Sequence, residues 1–237
     1  GFPGSIRGAD VIPREAPDVV VLRLPLYVRA LSQLLDRGDD VVRSHQLGAL
    51  LQMTPAQIRK DLSYFGKFGK QGKGYNVRFL RKSLRGILGL DQRGPTCLVG
   101  VGRLGQAVVN YPGFVPEGFD IVAAFDSGSE QIGTRVGGLN VQSMDDLDWT
   151  VASKGISIGI VTVPAPEAQY VIDCLIQSGV HGILNYAPVA PLVSMDTVIR
   201  NIDPVLSLQS MTFYLLEDMN AGRNNLMPTS PVANMEQ

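Results

Sequence analysis

Two hydrophobic rhythms divide this chain of 237 residues. Up to about residue 90 apolar positions recur at helical spacing, whereas past Pro95 they gather into short β-rich runs separated by helical patterns. In the first part, LPLYVRALSQLLDRG sets Leu26, Ala30, Leu34 and Leu35 on one helical face and stops at Gly38. Ser44 is placed to cap a second helix over HQLGALLQM, where Leu47, Leu50 and Leu51 are apolar. Thr54 caps a third, which Pro55 opens. Two short helices joined by a tight turn predict a helix-turn-helix. FGKFGKQGKGYN then mixes glycine, lysine and aromatics, a composition for an exposed β-ribbon, or wing, rather than a packed core. Asn76 caps a further helix with Val77, Leu80, Leu84, Ile87 and Leu88 in one stripe and Arg78, Arg81, Lys82 and Arg85 outside it.

Beyond Pro95 the runs TCLVG, FDIVAAFD, LNVQ, ISIGIVTVP, HGILNYAP and TVIRNID alternate with helical segments, one from Pro166 to Ser178. Such alternation predicts a parallel sheet covered on both faces. VLSLQSMTFYLLEDM reads as a final helix. The expected α/β organisation is therefore a disordered arm over 1–18, a winged helix-turn-helix domain over 19–92, a Rossmann parallel-sheet domain over 93–203, a helix over 204–219 and a disordered tail over 220–237.

Charge sharpens this division. The formal net charge is only −1, but residues 1–85 carry 15 Lys and Arg against 7 Asp and Glu, and the remainder 6 against 15. Residues 56–85 alone hold nine basic residues and one acid, Asp61. Because that run falls on the second helix of the helix-turn-helix, the ribbon and the next helix, it predicts double-stranded DNA as a partner. Gln57 is suited to base edges. Arg59, Lys60, Ser63 and Tyr64 suit phosphate or bases, and Lys70 and Lys73 of the ribbon suit the minor groove. Phe65 and Phe68 are expected to pack the wing instead. The two cysteines, Cys97 and Cys174, sit in apolar runs, which points to buried thiols in a reducing compartment and to no metal site. With neither a signal peptide nor a membrane-spanning run in view, a cytoplasmic protein with no membrane partner is expected.

The sharpest motif is Gly100-Val101-Gly102-Arg103-Leu104-Gly105, placed between a predicted strand and a predicted helix. A dinucleotide needs the first glycine for the turn, the second for close approach of pyrophosphate and the third for helix packing; the helix amino terminus attracts the anion. Asp126, ending FDIVAAFD, stands where a carboxylate accepts hydrogen bonds from the adenosine ribose and repels the extra phosphate of NADP. Thr162-Val163-Pro164 and Asn185-Tyr186-Ala187-Pro188 follow other predicted strands and are expected to converge on the same crevice. NAD(H) is the ligand this pattern favours, against the plainer reading in which the glycines only permit a turn. The two histidines, His45 and His181, both lie outside strand-end loops, so no proton donor for hydride chemistry is expected. Sensing is favoured over catalysis. An NAD-dependent oxidoreductase with a basic appendage, or a DNA-binding protein that senses CoA or another nucleotide through the same glycine loop, remain the alternatives.

RLPLYVRAL, TPAQIRKDLSYFGKFGKQGKGYNV, LVGVGRLGQAVVNYPGF, VAAFD, TVPAPEAQ, GILNYAPV and LQSMTFYL together resemble Rex redox-sensing repressors in order and spacing over about residues 19–218. The resemblance implies a homodimer on a palindromic operator upstream of respiratory or fermentative genes, with NADH and NAD+ as the sensed ligands and NADH releasing the DNA. It adds Ser44 and Tyr75 to the DNA-binding set. It further implies that the last helix, from about Leu206 to Asp218, is exchanged between subunits. Arg29 and Asp203 would pair across the dimer in one state, with Tyr111 taking Asp203 in the other. Two departures stand out: Gln71-Gly72-Lys73-Gly74-Tyr75 replaces R-G-V-G-Y in the wing, and Tyr186 replaces a phenylalanine in N-F-A-P.

Overall fold

The computed structural model describes residues 16–70 and 73–225, and the chain divides into two compact units after Arg93. Most of the expected arm, the end of the expected tail, and Gln71 and Gly72 of the wing lie outside the described residues.

The first unit runs α1 (Asp18–Val21), α2 (Leu24–Asp36), β1 (Val41–Val42), α3 (Ser44–Leu51), α4 (Pro55–Ser63), β2 (Gly69–Lys70), β3 (Gly74–Asn76) and α5 (Val77–Ile87). Its three strands form an antiparallel sheet in the order β1-β3-β2. The ribbon β2-β3 is thus present, joined by a strand, β1, too short to show a period in the sequence. Leu24, Tyr27, Leu31, Leu47, Ile58, Leu80 and Leu84 form the core, with Phe65 and Phe68 packed against it as expected. Two details differ from expectation. The buried face of α2 is centred on Leu24, Tyr27 and Leu31, and Leu26 is 46% exposed, because apolar residues occupy both faces of this helix and tertiary packing selects between them. Ser44 is the first residue of α3, not its cap: Arg43 holds the cap position, its N–H donating to Gln46 Oε1 at 2.8 Å.

The second unit runs β4 (Gly94–Val99), α6 (Arg103–Val109), β5 (Phe119–Asp126), β6 (Arg135–Val136), β7 (Leu139–Ser143), α7 (Leu147–Lys154), β8 (Ile158–Val161), α8 (Ala165–Gln177), β9 (Gly182–Asn185), β10 (Val198–Asn201) and α9 (Pro204–Asn225). The sheet order is β10-β9-β8-β4-β5-β7-β6; all neighbours are parallel except β6, which pairs antiparallel with β7. Side chains alternate between two cores: Cys97, Val99, Phe125 and Val161 on the face covered by α7 and α8, and Leu98, Ala124 and Ile160 on the other with Val108 of α6. The chain leaves β4 toward β5 and β7, then returns to build β8, β9 and β10 on the other side. That reversal opens a crevice outside the carboxyl ends of β4 and β8, the position in which doubly wound sheets hold ligands. The last helix continues to Asn225, past the expected end at 219.

Candidate dinucleotide crevice and DNA-reading surface

The three glycines after β4 have three different surroundings. Gly100 takes φ +98°, and a Cβ on it would meet Val163 Cγ1 at 2.7 Å and Thr162 C at 2.9 Å, so both the turn and the neighbouring loop exclude a side chain. A Cβ on Gly105 would collide with the carbonyl oxygen of Gly100, which places the first turn of α6 directly against the loop. At Gly102 nothing lies within 4 Å of a Cβ position. Gly102 is also the cap residue of α6 and has no side chain to satisfy the helix's first N–H groups. Turn, packing and open approach are thus divided among the glycines as a pyrophosphate site requires.

Thr162 ties the β8 end to this loop: its hydroxyl donates to Gly100 O at 2.7 Å, and the same oxygen lies 3.1 Å from Val99 O. Asp126, half-buried at the end of β5, accepts from Val101 N at 2.6 Å through Oδ2 and from Gly128 N at 2.8 Å through Oδ1. A carboxylate offers roughly four lone-pair sites, so about two remain for vicinal ribose hydroxyls. Asn185, expected in the same crevice, is held by its neighbours. Its side chain is fully buried, donates to Ala187 O at 3.0 Å and Asn201 Oδ1 at 2.9 Å, and accepts from Ala187 N at 3.0 Å. It shapes the Tyr186-Ala187-Pro188 loop from behind. Ala187 is buried too, whereas Val163 and Tyr186 are half-buried and Pro164 and Pro188 exposed. Arg103 and Leu104 are exposed on the first turn of α6.

On the first unit, Thr54 Oγ1 accepts from Gln57 N at 3.2 Å, closing the start of α4. Arg59, Lys60 and Ser63 are exposed along this helix, and Tyr64 sits half-buried at its end. Ser44 and Tyr75 meet through their hydroxyls at 3.5 Å, which brings α3 and the ribbon together. Lys73 is exposed in the ribbon; Lys70 is in β2. Gln57 is not free. Its Nε2 donates to Asp61 Oδ1 at 2.6 Å. Asp61, the lone acid of the basic run, is fully buried; Arg23 Nη2 donates to Oδ1 at 2.9 Å, Arg23 Nε lies 2.8 Å from Oδ2 as an ion pair, and the Tyr27 hydroxyl donates to Oδ2 at 2.9 Å. Burial, reinforced by this carboxylate, raises the Tyr27 pKa well above the usual tyrosine value. Sequence reading missed this network. A single acid amid nine bases was its only signal.

Comparison with known proteins converges on both halves. A family model described as "CoA binding domain" matches residues 91–189, and one described as "Putative DNA-binding protein N-terminus" matches residues 15–63. A redox-sensing transcriptional repressor Rex from Roseiflexus sp. (strain RS-1) is 49% identical over 211 residues, covering 89% of this chain and 96% of the relative. The chain belongs to the Rex family. Crystal structures of RSP, a Rex-family repressor, superpose over most of the chain. RSP with β-NAD+ and operator DNA matches at TM-score 0.81 and 34% identity, covering 90% of this chain and 98% of that one; RSP with β-NADH matches at 0.79 and 32%, covering 88% and 98%.

In this Rex-family chain Arg29 is exposed on α2 in the first unit, while Tyr111 and Asp203 belong to the second. Tyr111 is 58% exposed and meets Phe114 edge to face at 5.2 Å. Asp203 Oδ1 accepts from Val205 N at 2.9 Å, capping α9. Along α9, Leu206, Leu208, Phe213, Tyr214, Leu215 and Leu216 are 58–64% exposed. Among the described residues no helix is long and apolar enough to cross a membrane, and no cluster of His, Cys, Asp and Glu is suited to a metal ion.

Proposed function

We propose that this protein is a cytoplasmic homodimeric repressor that binds a palindromic operator through α4 and the wing and releases it when NADH occupies the second unit. Genes of respiration or fermentation would then follow the NADH/NAD+ ratio. The observation that carries the ligand is the pairing of the open, uncapped α6 terminus at Gly102 with the spare acceptor capacity of Asp126. Gly100, Gly102, Gly105, Asp126, Thr162 and the Tyr186-Ala187-Pro188 loop are the cofactor contacts; Asn185 positions that loop. Gln57, Arg59, Lys60, Ser63, Tyr64, Lys70 and Lys73 are the DNA contacts, with Ser44 and Tyr75 at their edge.

A helix that exposes so many large apolar side chains requires cover, and α9 is read as the segment exchanged with a second copy. Asp203, holding the α9 cap with one oxygen, keeps the other for Arg29 across the dimer or for Tyr111, two partners that exclude each other and so define two states. Catalysis is not part of this reading: His45 lies on α3, and His181 precedes β9, away from the carboxyl ends of the strands.

The test is fluorescence anisotropy of a labelled palindromic operator titrated with protein, then with NADH, NAD+ or CoA at fixed salt. NADH is expected to release the duplex at far lower concentration than NAD+, and by linkage DNA weakens NADH binding by the same factor. Asp203→Ala should keep both ligands and lose their coupling. Release by CoA alone would reassign the crevice, and turnover of NADH with small carbonyl compounds would favour an oxidoreductase.

A further inference from the structure

The buried carboxylate beneath the DNA-reading helix has more neighbours than neutralisation requires. Arg23 alone supplies the opposite charge, and Tyr27 satisfies a further lone pair, yet Asp61 also takes a hydrogen bond from Gln57, four residues earlier on α4. A carboxylate can only accept, so the Gln57 amide has one possible orientation: Nε2 faces Asp61 and Oε1 does not. Oε1 accepts no hydrogen bond among the described residues and is not shut away from solvent. One N–H of the amide is therefore occupied, while Oε1 and the second N–H are unengaged; with the N–H anti to Oε1 on Asp61, those two groups point the same way. An acceptor beside a donor at that spacing is the complement of the N6 and N7 edge of adenine in the major groove. Gln57 lies in the first turn of α4, the part of a recognition helix that meets base edges.

We infer that Asp61 is a specificity-determining positioning residue: it holds the Gln57 amide in the orientation that reads adenine in each operator half-site, rather than only completing an ion pair in the core. The inference rests on the DNA-binding reading of α4. A glutamine free to rotate its amide presents either edge and tolerates other bases; one whose Nε2 is anchored by a fixed carboxylate presents a single pattern. Arg23 and Tyr27 hold that carboxylate from the other side, so the selectivity of the helix surface is set from inside the core.

The experiment selects binding duplexes from a randomised palindromic library with the full-length protein and with Gln57→Ala and Asp61→Asn, then measures anisotropy with each half-site position substituted in turn. Gln57→Ala should flatten the preference for one A·T pair by roughly tenfold and leave the others. Asp61→Asn keeps the shape but also offers an N–H to Gln57, which lets the amide turn over; it should flatten that same pair and no other. A uniform loss across all duplexes, or an undiminished A·T preference in Asp61→Asn, overturns the inference while leaving the DNA-binding reading of α4 intact. If the parent selects no sequence at all, the DNA-binding reading itself has failed. Should Asp61→Asn not fold, the parent's Gln57 side-chain NH2 resonances decide: one proton slow to exchange in the free protein and the other shifting on addition of the selected duplex is expected. Two protons that both exchange rapidly with solvent, with neither shifting on addition of the duplex, overturn the inference.

Discussion

The turn before α4 and the turn before α6 solve one problem in two ways. Each must reverse the chain in a few residues and deliver a functional helix. Each places a glycine against a turn carbonyl: a Cβ on Gly48 would strike Met53 O, and one on Gly105 would strike Gly100 O. Each also contains a residue with positive φ, Gln52 at +55° and Gly100 at +98°. They part at the helix terminus. Thr54 closes α4 with its own hydroxyl, so that helix is complete without a ligand and presents side chains. Gly102 leaves α6 without a side-chain cap, so its first N–H groups and dipole are free to face an anion. Under the proposed function, a DNA-reading helix and an anion-binding helix are thus told apart by what caps them rather than by the turn that precedes them.

The comparison breaks most severely at Gly105. Gly105→Ala drives a methyl group into the Gly100 carbonyl, so the loop must open; a loss of about 1–3 kcal/mol in the stability of the second unit is expected, together with loss of NADH binding. Calorimetric titration and denaturant unfolding measure both. Parent-like affinity in this variant would show that the close packing is incidental. A sharper cut comes at Gly102, where a methyl group meets nothing in the free protein. Gly102→Ala should therefore unfold like the parent but bind NADH roughly tenfold more weakly, a difference of about 1.4 kcal/mol. If stability falls instead of affinity, Gly102 serves the turn and not the ligand.

These contrasts also mark what was legible in the sequence. The glycine spacing, the Asp126 position and the strand rhythm were readable because each is a local pattern with one structural solution. Thr54 and Asn76 were readable as caps for the same reason, and both caps form as expected, with Phe79 N donating to Asn76 Oδ1 at 2.8 Å. The buried face of α2 was not, since Leu24, Tyr27 and Leu31 compete with Leu26 for the core and only packing decides. Strands β1 and β6, two residues each, carry no period at all. The burial of Asp61 and Asn185 was hidden because it depends in part on distant partners: Arg23 is 38 positions from Asp61, and Asn201 is 16 from Asn185. Residue type announces such a side chain as surface or ligand-facing, and only the fold shows that it faces inward.

The smallest effect tests the other half of the comparison. Gln52 is a residue with a Cβ held at φ +55°, where an L side chain costs roughly 1–2 kcal/mol. Glycine removes that strain but adds about 0.5–1 kcal/mol of backbone entropy lost on folding. The balance favours Gln52→Gly by roughly 0–1.5 kcal/mol, the difference between those two costs. Because Gln52 is exposed and lies before the Thr54 cap, operator affinity should not move. Chemical denaturation of the two proteins, followed by a probe in the first unit, reads the gain directly. A loss of stability would mean that the Gln52 side chain compensates its own backbone, and the two turns would then differ in how they tolerate the left-handed region as well as in how they cap the helix that follows.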